Sequence, residues 1–384
     1  MTTELEDTTV RVSSAAELAG LVPYLLSYEP EPPALAVVGL RDAAASRRPA
    51  AARETAPADP RTAGDTASPP DPARPDPPPQ EPALPEPPPP APPSSAQARF
   101  VMRLPAGTGP GPADVEHYAS IIRHNGCDAV ALFAYGGPEL AGPLEALRSG
   151  LEANAMPIPA RVVGRVSRGH LYPAAPFGEG RRQRIPQAGK AVCSMIALGG
   201  NVFQSRDDIA DLFEPPEPDV LREVDNEVSR TRRDQAEEDA DDARVRAREY
   251  LNLDYWRSQW RTERQLPAPA DIAEIALGLA DRTVRDWLLE SFETSSDNDV
   301  DLWIWTARHL TGSLRGNVAA VAGFAAYRSG NGVLAAEALK FASVADPHCI
   351  LAELLWHLLY RGIPPERLIV KSGGSPERPP PAAD

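Results

Sequence analysis

Between an apolar run at residues 34–40 and another at 99–104 the chain passes through a stretch that resists regular structure. Eighteen of its 44 prolines fall between Pro49 and Pro93, mixed with Ala, Asp, Glu and Arg and almost no large apolar residue. Each proline removes a backbone donor and fixes φ, and without apolar side chains nothing offsets the entropy lost on ordering. The expectation is a long Pro-rich disordered insert over residues 41–98 with polyproline-II character. It interrupts a folded unit, because Arg99-Phe-Val-Met-Arg-Leu104 reads as a strand whose natural partner is the strand before the insert. That earlier run, Ala34-Leu-Ala-Val-Val-Gly-Leu40, is apolar on both alternating faces, as strands of a parallel sheet usually are.

The flanking pattern alternates helix and strand. Ser13 and Ser14 precede a Leu18, Leu21, Val22, Leu25 stripe at helical spacing, with Glu17 placed for a capping box. A helix at 113–125, a strand at 128–135, a helix at 140–155 and a strand at 157–166 follow, and residues 161–166 with 169–172 form a possible hairpin. This order predicts an α/β fold, a mainly parallel sheet with flanking helices. Beyond Ile185 the pattern turns helical, and all six tryptophans lie beyond a very polar stretch at 220–249. The expected organisation is an α/β domain at 9–213 broken by the insert, a polar helical connector at 214–268, an all-helical C-terminal module at 269–368 and a disordered tail at 369–384. Within the module Gly323, Gly330, Ala335, Ala342 and Pro347 match the spacing of a tetratricopeptide repeat, with Tyr360 on an aromatic position of the next unit. Only one repeat is legible, so a helical hairpin inside a bundle is expected rather than a solenoid.

Several motifs carry a family resemblance: Val22-Pro-Tyr-Leu-Leu26, Tyr28-Glu-Pro30 and the 34–40 strand; the 129–135 strand followed by Gly136; Thr283-Val-Arg-Asp286; Tyr327-Arg-Ser-Gly-Asn-Gly332; Asp346-Pro347; and Gly362-Ile-Pro-Pro365. Together they resemble an actinobacterial family, domain-of-unknown-function family 4192, whose opening commonly reads VPYLLGFHP followed by a strand such as SLVVVGL. The resemblance implies a lineage and no activity. This chain has Ser27-Tyr-Glu-Pro30 where the pattern has GFHP, so no histidine role carries over. It also lacks the cysteines that the pattern places after the edge hairpin, and with them any thiol-based metal or redox site.

A net charge of −15 opposes binding to a phosphate backbone, so nucleic acid is not expected as a partner. Three scattered cysteines form no disulfide framework or zinc ribbon and fit a reducing cytoplasm. The acidic start shows no secretory signal, and no apolar run approaches the ~18 residues of a membrane span. The loop Gly107-Thr-Gly-Pro-Gly-Pro112 sits where a phosphate cradle would, yet Pro110 and Pro112 remove donors it would need. His117, His124, His170, His309, His348 and His357 make no metal-binding pair. Ser167 lacks a nucleophile-elbow glycine, and Cys349 beside His348 lacks an orienting group. Arg181-Arg-Gln-Arg184 is a basic loop, expected to be solvated, with contact to an acidic partner or a phosphate as the alternative. No catalytic residue, metal or cofactor is therefore assigned.

The expectation is a cytoplasmic interaction or regulatory protein without catalysis, its partner held by the insert, where Pro87-Pro-Pro-Pro90 suits polyproline recognition, or by the helical module. The alternative is a sensor or enzyme with a small-ligand or nucleotide site at the carboxyl ends of the parallel strands, near Gly39, Pro105, Tyr135 and Gly136. Arg285 and Asp286 are further candidates, expected to bridge helices or to touch a ligand.

Overall fold

A computed structural model describes residues 12, 14–42, 96–105, 107, 109–174, 181–197, 202–237, 242–294 and 298–368. Most of the expected insert and all of the expected tail lie outside them. The ends of the insert do not, because Arg41 and Asp42 extend the first strand and Ala96, Gln97 and Ala98 open the second.

Helix α1 (Ala15–Leu26) starts where Ser14 Oγ accepts the Glu17 N–H at 3.1 Å. Ser27, in the left-handed region at φ 64°, ends it. Strand β1 (Ala34–Asp42) follows and pairs antiparallel with β2 (Ala96–Pro105). A bulge between Gly39 and Leu40 leaves Arg99 as the extra residue of β2. Helix α2 (Pro112–His124) then carries the chain to β3 (Ala129–Tyr135), and α3 (Ala141–Glu152) to β4 (Ala160–Ser167). Strands β5 (His170–Pro173) and β6 (Gln183–Arg184) complete, among the described residues, a six-stranded sheet of order β2-β1-β3-β4-β5-β6.

The sheet is mixed and mostly antiparallel, which corrects the mainly parallel expectation. Among the described strands, β3 and β4 alone are parallel neighbours; β1 runs against both β2 and β3. The α2 connection does join two strands of one direction, but β1 lies between them, a split βαβ arrangement. Two-sided burial explains the misleading apolar run. Leu35 and Val37 face α2 and α3 together with Ile122, Leu147 and Leu132. Ala36, Val38 and Leu40 face α1 together with Leu18, Val22 and Phe133. Covering a strand on both faces makes it apolar whichever way it runs.

The chain continues through α4 (Lys190–Ala197) and α5 (Arg206–Asp211) into helices α6 (Pro218–Glu237), α7 (Asp242–Glu263), α8 (Pro269–Ala280), α9 (Arg282–Glu290), α10 (Val300–Arg308), α11 (Gly312–Arg328), α12 (Gly332–Ala345) and α13 (Ile350–Tyr360). One apolar cluster joins them, taking in Val224, Tyr250, Trp256, Ile275, Trp303 and Phe324. Helices α11 and α12 approach closely because a Cβ on Gly323 would lie 2.7 Å from Leu339 Cδ2. Asp299, buried beside α10, holds Arg257 at 2.8 Å and Arg261 at 2.7 Å, so two cations satisfy one enclosed carboxylate. Among the described residues, polar and aromatic contacts tie the helices to the sheet layers. Arg206 pairs with Glu337 at 2.6 Å, Asn125 Nδ2 donates to the Gly362 carbonyl at 2.9 Å, and His117 stacks on Tyr360 at 4.4 Å. Among the described residues no helix is long and apolar enough to cross a membrane.

Candidate functional site

The parallel pair β3–β4 ends beside a cleft of about 940 Å³. Gly20, Pro23 and Tyr24 of α1 form one wall, with Glu29 and Pro32 beyond it. Tyr135 and Gly136 lie at the strand end, and the opposite wall is the β4–β5 turn with Ser167, Arg168 and His170, backed by Arg184 and Ile185.

Local sequence accounts for each wall. Arg168 and Gly169 have φ of 49° and 71°, the two left-handed positions of a tight hairpin turn, and Ser167 pairs with His170 across it. The His170 ring nitrogen Nδ1 lies 2.9 Å from the Arg168 carbonyl oxygen, which can only accept, so Nδ1 carries the proton. The Ile185 N–H donates to the Gly169 carbonyl at 2.9 Å and draws the segment after β6 onto the turn. Arg165 lays its guanidinium 4.4 Å from the centre of the Tyr172 ring and donates to the Gly136 carbonyl at 3.2 Å. Gly136 itself sits at φ 144°, and a Cβ there would stand 2.9 Å from Leu140 Cδ1, so only glycine lets the chain leave β3 on this path.

Tyr135 is buried, and its hydroxyl donates to the Ala19 carbonyl at 3.3 Å. Burial first, and the charge of Glu29 second, push its pKa well above the ordinary phenol value, so it stays neutral. Glu29 keeps an exposed edge while partial burial of its carboxyl raises that pKa too. The Glu29 backbone is anchored by its N–H, which donates to the Phe203 carbonyl at 3.0 Å.

The sequence candidates separate. Tyr135 and Gly136 line the cleft. Pro105 ends β2 at the same end of the sheet, one strand removed, since Ala34 pairs with both Pro105 and Tyr135. Gly39 does not join them. It pairs with Phe100 and Val130 near the far end, because antiparallel β1 puts its carboxyl end beside the amino end of β3. There a Cβ would meet the Phe100 ring and would lie 2.8 Å from Cys127 Sγ, so Gly39 is a packing glycine. The buried Cys127 thiol is pushed up to about 12, chiefly by desolvation, and is unreactive near neutrality. Arg285 and Asp286 sit on α9, away from the cleft: Arg285 reaches Asn317 of α11 at 3.4 Å, and Asp286 lies 3.4 Å from Arg282. Among the described residues no group of three or more His, Cys, Asp or Glu side chains is placed to hold a metal. A smaller groove of about 450 Å³ between α6, α7 and α8 mixes Arg230 and Arg248 with Asp234, Glu249 and Glu274 and has no dominant charge.

Arg168 and His170 were not legible as cleft residues in the sequence, and Arg184 was legible only as part of a basic loop, solvated or in contact with an acidic partner or phosphate. The available signal was the Arg168-Gly169 pair, a hairpin turn that presents its neighbours at a strand end.

A family model described as a domain of unknown function, DUF4192, matches residues 91–366. The chain belongs to the DUF4192 family. The DUF4192 match takes in β2 to α13 and leaves the opening stretch at 22–40 outside. The cleft therefore combines matched elements with α1 and the segment holding Glu29, which lie before the match. No curated protein and no solved structure matches the chain.

Proposed function

We propose that this DUF4192 protein binds a small ligand in the cytoplasm and acts as a regulatory sensor. The observation that carries the reading is the cleft of about 940 Å³ at the carboxyl ends of β3 and β4, which gathers Tyr24, Glu29, Ser167 and His170 around Tyr135 and Gly136. A site of this size suits a metabolite, and the end of a parallel strand pair is where open α/β sheets usually bind one. Binding is favoured over proton-transfer chemistry at Tyr135, whose hydroxyl is committed to Ala19 and whose pKa is raised. A thermal-shift screen of metabolites against wild type and Ser167→Trp, which fills the cleft, tests the reading. At least one compound is expected to raise the melting temperature of the wild type alone. No shift with any compound, or equal shifts in both proteins, counts against it.

A second reading gives the helical half a partner-docking role. It is supported by Val344, Ile350 and Leu354, which stay 78%, 71% and 59% exposed on the last two helices. Proteins co-purifying with wild type are expected to be lost from the Ile350→Asp, Leu354→Asp double variant, and identical sets would remove this role.

A further inference from the structure

The cleft borders the part of the chain whose charge runs against the rest. Across residues 160–190 seven lysines and arginines stand against one acid, Glu179, in a chain of net charge −15. The backbone places three basic side chains of this segment at the cleft. Arg168 occupies the first left-handed position of the β4–β5 turn, His170 follows the turn, and Arg184 lies directly across the β5–β6 ladder from His170. Arg165 is engaged by Gly136 and Tyr172. Arg168 and Arg184 are exposed and, among the described residues, neither forms an ion pair with a carboxylate. The Nδ1 bond of His170 leaves Nε2 as the ring atom for a ligand, accepting from a phosphate hydroxyl in the neutral ring or donating to a phosphate oxygen in the imidazolium. Glu29 and Tyr24, contributed by the other side of the cleft, supply acceptors.

We infer that the ligand is a small phosphomonoester whose phosphate rests on Arg168, His170 and Arg184 while a hydroxyl or amino group at its other end donates to Glu29. This rests on the ligand-binding reading of the same cleft. A guanidinium fork matches two phosphate oxygens at once, and low-dielectric walls carrying one sign of charge concentrate ligands of the opposite sign. Glu29 sets the polarity of the bound molecule, since it repels a second anionic end. It also opposes a continuous nucleic-acid strand, which would bring further phosphates past it.

Isothermal titration of the intact chain with adenosine monophosphate, ribose 5-phosphate and inorganic phosphate, beside adenosine and ribose, tests the assignment. A phosphomonoester is expected to bind, more weakly as salt rises, with its uncharged counterpart at least about tenfold weaker. In the Arg168→Ala, Arg184→Ala variant the affinity is expected to fall about tenfold for each arginine removed. The melting temperature of that unliganded variant should stay that of wild type, as both side chains are exposed. The order of adenosine monophosphate, ribose 5-phosphate and bare phosphate distinguishes a nucleotide from a sugar phosphate or the free anion. Phosphomonoesters binding the double variant as tightly as wild type, or only uncharged compounds binding, would overturn the phosphate assignment and leave the cleft reading standing. So would capture of a single-stranded oligonucleotide that no mononucleotide displaces. If no compound, charged or uncharged, stabilises wild type over Ser167→Trp, both fall together.

Discussion

Glu29 lines the cleft and changes how it answers to pH. Its raised pKa means that the fold favours the protonated carboxyl. The stability it contributes is therefore fully present below the ordinary value of 4.5 and is lost as pH rises through the higher folded value. Glu29→Gln removes that loss. Its melting temperature is expected to exceed that of wild type at about pH 7, and the gap to close near pH 4. A gap that widens on acidification would mean that the carboxylate is stabilised in the fold. At this scale the sequence was partly legible. Gly136 after an apolar strand signalled a strand end, and so it proved, whereas Gly39, in an equally apolar strand, has no place in the cleft. The difference lies in strand direction, which no single residue records.

Among the elements, the α11–α12 hairpin shows what small residues permit. Gly316 and Gly323 face α12, where added Cβ atoms would stand 2.6 Å from Asp346 Cβ and 2.7 Å from Leu339 Cδ2. Gly323→Val forces that contact apart and is expected to cost about 1–3 kcal/mol, read from the midpoint of urea unfolding; a midpoint unchanged from wild type would show that the helices separate without penalty. The small-residue spacing that resembled a repeat therefore reported a real close approach. Strand β1 shows the opposite case. Its run of apolar residues correctly signalled cover on both faces, but the same run suits either ladder direction, since side-chain alternation is identical in parallel and antiparallel strands. The antiparallel pairing follows from the chain returning through β2 beside β1.

For the whole molecule, the junction between sheet and helices depends on an ion pair with one enclosed partner. The Glu337 side chain is 3% exposed and that of Arg206 is 47% exposed, with Lys340 at 3.6 Å as the second cation. Arg206→Met is expected to cost about 1–2 kcal/mol, discounted for the exposure of Arg206 and the remaining Lys340. Adding Glu337→Gln should recover part of that cost by removing the stranded charge. Urea unfolding followed by tryptophan fluorescence measures both, since all six tryptophans fall at 256–356; a double variant less stable than the two single losses combined would refute the account. Neither partner was legible as half of this pair, because 131 residues separate them. By itself the sequence determined what short-range physics controls: Ser14 as a cap, apolar runs as buried strands, and the family. Only the tertiary structure decided that β1 runs against its neighbours, that Tyr135 and Gly136 meet Arg168 and His170 while Gly39 does not, and that Arg206 reaches Glu337. Burial of an apolar face has no direction along the chain, whereas hydrogen-bond ladders and ion pairs do their work between residues that only the folded chain brings together.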